Sequence, residues 1–249
     1  MAIRTLGLMA KYWRPGRVKT RLGASIGFTT AAQLHRLFCH HLIESLADCC
    51  DRRQIVVWPP EDAALLRDWL DSAIVSPPGE ANWDIEVQSP GDLGDRMKHW
   101  FESSSSSTRS ETCRILIGAD CPLIDSDLIG EAIGLLETNA PKAHDVVLGP
   151  ARDGGYYLIG LQTWNGRFKS LFEDIPWSSE SVLEATLDRA NRAGLTVAML
   201  DTLSDVDTEA DLDDLRGAID AGAGSPQAHQ RLKRLNEQIE SILSAEKRG

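Results

Sequence analysis

Short apolar runs alternate along the chain with longer segments whose apolar residues recur at intervals of three and four. The runs predict strands at residues 3–9, 54–58, 84–88, 114–118, 145–148, 156–161 and 195–200. The longer segments predict helices at residues 29–47, 61–73, 92–103, 127–138, 179–193 and 209–219. This alternation is typical of an α/β protein with a mostly parallel central sheet and helices on both faces.

The connection between the predicted strands at 145–148 and 156–161 is too short for a crossover, so this pair is expected to form a hairpin or a bent excursion. The last segment carries apolar residues at helical spacing, at Leu232, Leu235, Ile239 and Ile242. We therefore expect one domain over residues 1–221, followed by a C-terminal helix within 222–249. That helix would pack on the domain or on a second subunit, which leaves a homodimer open.

Length and charge narrow the classes of function. The chain has 249 residues and a formal net charge of −11, which argues against a nucleic-acid partner. No segment approaches the roughly 20 apolar residues that a membrane span requires. Five cysteines occur without the spacing of a metal site. The sequence therefore predicts a cytoplasmic protein with reduced thiols and no membrane span.

Two carboxylates stand where predicted strands end. Asp120 follows the apolar run at 115–118, and Asp207 follows the run at 195–200. The carboxyl ends of strands in an open α/β sheet bind ligands, and Mg²⁺ takes one or two carboxylates in phosphate chemistry. Asp120 could also cap the next helix or close a turn, and Asp207 could form an N-cap with Thr208. Capping and metal ligation are compatible, so neither excludes the other. Asp205 is an alternative to Asp207 as the second ligand.

A dense basic segment lies near the N-terminus, where no acid precedes Glu44. Its cations are a local feature of an acidic chain and suit a polyphosphate or another small anion. A solvated basic face is the alternative for any such charge run. The basic residues are Lys11, Arg14, Arg17, Lys19 and Arg21.

A turn of the type used for tight reversals occurs at residues 153–155. Gly154 and Gly155 could let an acceptor approach the backbone, while Asp153 orients or deprotonates it. Tyr156 and Trp177 are candidates for an aromatic acceptor wall, although core packing would also explain them. Arg96 could reach a phosphate or pair with Asp92 on an exposed helix.

Six ordered segments together resemble a known family. They are KYWRPGRVKTRL at 11–22, GDLGDRM at 91–97, IGADCP at 117–122, GPARDGGY at 149–156, IPW at 175–177 and DVDT at 205–208. The set is similar to a bacterial family of transferases associated with radical-SAM and selenodomain proteins. That family is in turn similar to the guanylyltransferase acting on 2-phospho-lactate, within the nucleotide-diphospho-sugar transferase (GT-A) superfamily. The resemblance spans roughly residues 3–215 and implies a single-domain GT-A fold.

The resemblance also implies site roles. Asp120 and Asp207 match the metal-binding acids, which would hold Mg²⁺ or Mn²⁺. Lys19 and Arg21 match a phosphate-binding loop, and the segment from Gly91 to Arg96 takes the position where relatives contact the nucleotide. Sugar and molybdenum-cofactor nucleotidyltransferases carry a glycine-rich first loop that this chain replaces with the basic segment at 11–21.

Residues and resemblance together predict a Mg²⁺-dependent transferase with a nucleotide-activated donor, either an NTP or an NDP-sugar. Nucleotidyl transfer from an NTP to a small phosphorylated or acidic acceptor is the leading prediction. Glycosyl transfer from an NDP-sugar is the alternative, and a non-catalytic nucleotide-binding regulator is the alternative of another class. The catalytic candidates are Asp120, Asp153 and Lys19.

Overall fold

The computed structural model describes residues 3–73, 83–103, 111–137 and 143–246. Its seven strands belong to one sheet in the order β3-β2-β1-β4-β6-β5-β7. Their bounds are Ile3–Ala10 (β1), Arg52–Val57 (β2), Trp83–Val87 (β3), Glu111–Gly118 (β4), Val146–Pro150 (β5), Tyr156–Gln162 (β6) and Val197–Met199 (β7).

The sheet is parallel except at one strand. β1 pairs in parallel with both β2 and β4, whereas β6 runs antiparallel to its neighbours β4 and β5. The predicted hairpin between β5 and β6 is thereby confirmed. Because β1, β2, β3 and β4 run in the same direction, the residues after their carboxyl ends meet at one edge of the sheet.

Eight α-helices cover the sheet in the part of the chain that is described. They are Thr20–Ile26 (α1), Phe28–Ser45 (α2), Ala63–Ala73 (α3), Leu93–Glu102 (α4), Ser126–Leu136 (α5), Val182–Arg192 (α6), Glu209–Asp220 (α7) and Pro226–Glu246 (α8). The sequence did not predict α1, because we interpreted the whole basic segment at 11–21 as a loop. Two short 3-10 helices, Pro60–Asp62 and Gly166–Leu171, were not predicted either.

Buried apolar residues form one layer on each face of the sheet. On one face, Leu42 of α2 and Ile133 of α5 belong to the same cluster as Ile115 of β4. On the other face, Trp100 of α4 and Ala190 of α6 pack with Leu148 of β5. Both faces are covered, as the alternating pattern predicted.

The C-terminal helix packs on its own domain. Leu232 and Leu235 of α8 are buried in a third cluster with Phe38 of α2 and Leu212 of α7. Among the described residues, no helix is long and apolar enough to cross a membrane. The five cysteines all lie in the described ranges and are free thiols.

One buried histidine ties α2 to the turn that carries Asp120. The Nε2–H of His41 donates to the backbone oxygen of Pro122 over 3.2 Å. Burial lowers the pKa of His41 from its ordinary value of 6.5 to about 4. As the pH falls below 6.5, His41 becomes protonated in the unfolded chain. In the folded protein His41 stays neutral until about pH 4.

We expect this histidine to lower the free energy of unfolding as the pH falls from 6.5 to 4, by up to about 3 kcal/mol. Urea unfolding at pH 7.5 and at pH 5 measures the change. His41→Gln is the control, because its amide can donate to Pro122 without titrating. A wild-type protein that loses no more stability than His41→Gln over this range would contradict the prediction.

Candidate functional site

A cavity of about 1010 Å³ opens at the edge where the carboxyl ends of β1 to β4 meet. Its floor is formed by the last residues of β1 and β4, Ala10 and Gly118, together with Ala119. Polar and aromatic side chains line the walls: Lys11, Arg17, Lys19, Arg21, His35, Trp58, Gln88, Arg96, Asp120, Asp153, Tyr156, Trp177, Glu180, Asp205 and Asp207. Most of the residues predicted for the site thus share this cavity.

Asp120 is not the cap of the helix that follows it. The N-cap of α5 is Asp125, whose Oδ1 accepts the backbone N–H of Leu128 over 2.9 Å. The backbone oxygen of Asp120 accepts the N–H of Val206 over 2.9 Å, which joins the turn after β4 to the segment before α7. The Asp120 carboxylate, with its side chain 47% exposed, is therefore left to face the cavity.

Asp207 is likewise free of the capping role. The N-cap of α7 is Thr208, which forms a capping box with Asp211. The N–H of Thr208 donates to Asp211 Oδ2 over 2.8 Å, and the N–H of Asp211 donates back to Thr208 Oγ1 over 3.3 Å. Since Thr208 and Asp211 satisfy the helix start, the Asp207 carboxylate can turn to the cavity.

Lys19 brings the two acids together. Its Nζ lies 2.5 Å from Oδ1 of Asp120 and 3.2 Å from Oδ1 of Asp207. The Lys19 side chain is only 2% exposed. Burial alone would lower the pKa of Lys19, but the two carboxylates outweigh it and raise that pKa above its ordinary value. Conversely, the Lys19 ammonium outweighs burial at Asp120 and holds the pKa of that carboxyl below its usual range.

A third carboxylate, Asp205, lies near this pair. Among the described residues, no lysine or arginine forms an ion pair with it. Partial burial, together with the charges of Asp120 and Asp153, raises the pKa of Asp205 to about 7. Asp205 therefore differs from Asp120, whose charge Lys19 stabilises. The sequence could not distinguish these environments, because all three acids simply follow apolar runs.

His35 of α2 is a site residue that the sequence did not reveal. Its Nε2–H donates to the backbone oxygen of Lys11 over 3.1 Å, so its Nδ1 carries a lone pair. That Nδ1 lies 3.7 Å from Asp120 Oδ1, is buried and has no hydrogen-bond partner in the structure. His35 thus supports the start of the basic segment while its free nitrogen faces the acids. A helical histidine gives no local signal of such a role.

The residues around Lys19 suit a divalent cation chemically. Two carboxylates already gather around a positive charge, and hard cations such as Mg²⁺ prefer carboxylate oxygens. No group of three or more His, Cys, Asp or Glu converges as a complete metal centre within the described ranges. This donor set therefore fits a cation that takes two protein ligands and completes its shell with water and phosphate oxygens.

One residue of the basic segment anchors it to the rest of the fold, and its other basic residues line the cavity. Arg14 is the anchor, because its guanidinium donates to Oδ1 of the buried Asp62 over 2.6 Å and it does not line the cavity. Lys11, Arg17 and Arg21 do line the cavity. Arg17, which sequence reasoning placed in the basic run but not in the site, thus takes the position expected of Arg14.

Three residues that line the cavity, Trp58, Gln88 and Arg96, lie just after β2 and β3 or in α4. The guanidinium carbon of Arg96 lies 5.0 Å from the ring centre of Trp58, and its Nε donates to the backbone oxygen of Asp92 over 3.1 Å. Gln88 is 5% exposed and lies against Arg96. Gly91 adopts a φ of +121° before α4 and does not line the cavity, so it shapes the turn. Trp58 and Gln88 were not predicted.

The turn at 153–155 and the segment before α6 also contribute to the cavity lining. Asp153 Oδ1 accepts the N–H of Gly155 over 2.9 Å, so the turn function of Asp153 is present together with its position at the cavity. Gly154 has a φ of +88°, and a Cβ there would lie 2.0 Å from the backbone oxygen of Glu180. A glycine is therefore required for these two segments to touch.

Two aromatic residues both line the cavity and pack in the apolar core. Tyr156 and Trp177 lie at the cavity and also pack against the apolar layer that contains α4 and α6. The indole of Trp177 covers Gly94 of α4, where a Cβ would come within 2.5 Å of Trp177 Nε1. Both interpretations of these aromatics from the sequence are thus compatible with the structure.

Comparison with solved structures identifies the fold. A candidate nucleotide-diphospho-sugar transferase from Desulfovibrio desulfuricans G20 is 30% identical in sequence, with a TM-score of 0.77 over 97% of this chain and 99% of that one. A cytidylyltransferase from Leptospira borgpetersenii serovar Hardjo-bovis is 13% identical, with a TM-score of 0.55 over 98% and 97%.

A 4-diphosphocytidyl-2C-methyl-D-erythritol synthase from Anaerococcus prevotii is 11% identical, with a TM-score of 0.52 over 86% and 94%. The cytidylyltransferase and this synthase show the fold alone. The predicted GT-A architecture is confirmed: this chain has the α/β fold of nucleotide-diphospho-sugar transferases.

Family membership rests on the sequence. No curated protein matches it. A family model described as an uncharacterized protein conserved in bacteria, DUF2064, matches residues 42–179, which include β2 to β6 and the turns with Asp120 and Asp153. The chain therefore belongs to the bacterial protein family DUF2064.

Proposed function

We propose that this protein is a divalent-cation-dependent transferase that uses a nucleotide-activated donor, with nucleotidyl transfer from an NTP as its leading activity. The single observation that carries the proposal is the pairing of opposite charges in one cavity. Four cations from residues 11–21, namely Lys11, Arg17, Lys19 and Arg21, line it together with Asp120 and Asp207. Fixed cations and a pair of carboxylates are what phosphoryl and nucleotidyl transfer require.

Each set of residues has a distinct task in this proposal. Asp120 and Asp207 would hold Mg²⁺ or Mn²⁺, which neutralises charge on the phosphates when it is bound. Lys11, Arg17 and Arg21 bind the phosphate chain and orient it for in-line attack. The part of the cavity lined by Trp58 and Arg96 receives the base. Asp153 orients the acceptor nucleophile or accepts its proton.

Three further acids line the cavity besides Asp120 and Asp207. They are Asp153, Glu180 and Asp205, and the charges of Asp120 and Asp153 both act on Asp205. Like charges repel, so this group of acids favours a hydroxyl or amine acceptor over the phosphorylated or acidic acceptor that the resemblance implies. This observation supports the second candidate, glycosyl transfer from an NDP-sugar to a hydroxyl group.

The products distinguish the candidates. Purified protein is first screened for thermal stabilisation by NTPs and NDP-sugars with and without Mg²⁺, since a ligand at about 100 times its Kd adds about 2.7 kcal/mol. The stabilising donor is then incubated with sets of polyols, amines and phosphorylated acids. Release of pyrophosphate indicates nucleotidyl transfer, and release of an NDP indicates glycosyl transfer. Tight nucleotide binding without any product would favour a regulator, and absence of nucleotide binding would contradict the proposal.

At a Mg²⁺ concentration that saturates both proteins, Lys19→Ala is expected to weaken binding of the stabilising nucleotide by about 1.5 to 3 kcal/mol. This is the range for a hydrogen bond to a charged group. Isothermal titration calorimetry at low and high salt provides the measurement. Arg14→Ala is the control within the same segment, because Arg14 contacts Asp62 rather than the cavity. Equal affinity of Lys19→Ala and wild type at both salt concentrations would mean that Lys19 contacts no phosphate.

A further inference from the structure

Lys19 does not extend toward the open part of the cavity, where a phosphate chain would lie. Its Nζ is instead enclosed at 2.5 Å from one carboxylate oxygen and 3.2 Å from the other, with 2% of the side chain exposed. The oxygens are Oδ1 of Asp120 and Oδ1 of Asp207, on segments before α5 and α7. An ammonium group thus stands in for a metal ion between the two acids that the proposed function assigns to the metal.

The ammonium and a divalent cation cannot share this position. Mg²⁺ binds oxygen ligands at about 2.0–2.1 Å. An ion bound to both Oδ1 atoms would therefore need the position that Nζ occupies. Two like charges at such a distance repel strongly in a partly desolvated site. Divalent-cation binding between Asp120 and Asp207 therefore requires Lys19 to leave.

The backbone at Lys19 is compatible with such a movement. Lys19 has φ 46° and ψ 46°, the left-handed conformation that non-glycine residues rarely adopt, and it stands just before the first residue of α1. Residues 14–17 are exposed, whereas Val18, directly before Lys19, is buried and fixes the start of α1. No side-chain capping bond is present at this helix start, so the Lys19 side chain is held by its two ion pairs.

We propose that Lys19 occupies the divalent-cation position in the ligand-free protein and that the donor's phosphates draw it away, so that the acid pair admits the metal together with the donor. This inference rests on the proposed function for its second half, the role of the donor. Its first half concerns only Lys19 and the metal. The first half can therefore be tested with Mn²⁺ alone, without a nucleotide or an acceptor.

The experiment measures Mn²⁺ binding by electron paramagnetic resonance in wild type and three variants. Lys19→Met removes the ammonium and is expected to bind one Mn²⁺ at least 10-fold more tightly than wild type. Arg21→Met removes a cation that lies 4.0 Å from Asp207 but is 73% exposed, so it tests for a mere field effect. Lys169→Met makes the same chemical change outside the cavity. Both control variants should stay within about threefold of wild type.

Equal Mn²⁺ affinity in wild type and Lys19→Met would overturn the proposal, and so would an equal gain in Arg21→Met. Lys19→Met also leaves Asp120 and Asp207 without their cation, so the variant could be unstable. In that case Mn²⁺ should restore its thermal unfolding temperature while leaving that of wild type unchanged. A Lys19→Met protein that remains unfolded in millimolar Mn²⁺ contradicts the proposal. If wild type binds no nucleotide, the proposed function is contradicted. The comparison of Mn²⁺ affinities still decides whether Lys19 occupies the cation position.

Discussion

Asp120→Asn is expected to abolish the nucleotide binding that depends on a divalent cation, while leaving the fold intact. Asparagine has nearly the same shape as aspartate, and the backbone oxygen that accepts the N–H of Val206 is unchanged. The substitution removes the negative charge that a hard cation requires. Calorimetric titration of nucleotide with and without Mg²⁺ measures the loss, and circular dichroism monitors the fold.

Two further substitutions make the test specific. Asp207→Asn should have the same effect, because Asp207 is the second acid around Lys19. Asp205→Asn is the matched control, since it makes the same change two residues away and Asp205 has no ion pair with Lys19 among the described contacts. Loss of binding in Asp205→Asn but not in Asp207→Asn would reassign the second ligand. Parent-like binding in Asp120→Asn would remove that residue from the metal site.

Asp153→Asn is expected to lower turnover by about 100-fold or more, which is the usual scale for a general base. Donor affinity should hardly change, because the proposed function assigns the donor phosphates to the basic segment and the metal acids and not to this turn. An asparagine Oδ1 can still accept the N–H of Gly155, so the turn should keep its geometry. Steady-state kinetics with the identified donor and acceptor separate turnover from donor binding.

The control for this prediction is Glu180→Gln, which neutralises an exposed carboxylate on the segment that touches the same turn. A smaller decrease in turnover is expected, since Glu180 does not belong to the turn. If Asp153 is purely structural, Asp153→Asn will lower the unfolding temperature while turnover per folded molecule stays near normal. That outcome would exclude Asp153 from the chemistry.

Local sequence patterns were sufficient to predict the sheet and the acids at its strand ends. Alternation of apolar runs and helical segments predicted the covered sheet, because burial of two faces imposes a periodicity that can be read directly. The same patterns placed Asp120 and Asp207 after strands, and parallel strands bring such ends to one edge. The helix α1 was missed because its seven residues follow a segment dominated by proline, glycine and charge.

Contacts between distant parts of the chain could not be predicted in this way. Lys19 and Asp207 are 188 positions apart, and nothing near either residue in sequence indicates that an ammonium would occupy the acid pair. Arg14 and Arg17 look equivalent in the basic run, yet only the buried Asp62 decides which one is an anchor. His35 became a site residue because α2 packs beside the turn after β4.

The sequence alone thus determined the fold class, the acidic strand ends and the presence of a basic segment, since each depends on residue type and short-range spacing. The tertiary structure decided which cations line the cavity and which acids contact the same lysine ammonium group. Those features depend on distances of a few ångströms between segments far apart in the chain. Electrostatic interactions change steeply over such distances, and spacing along the sequence does not encode them.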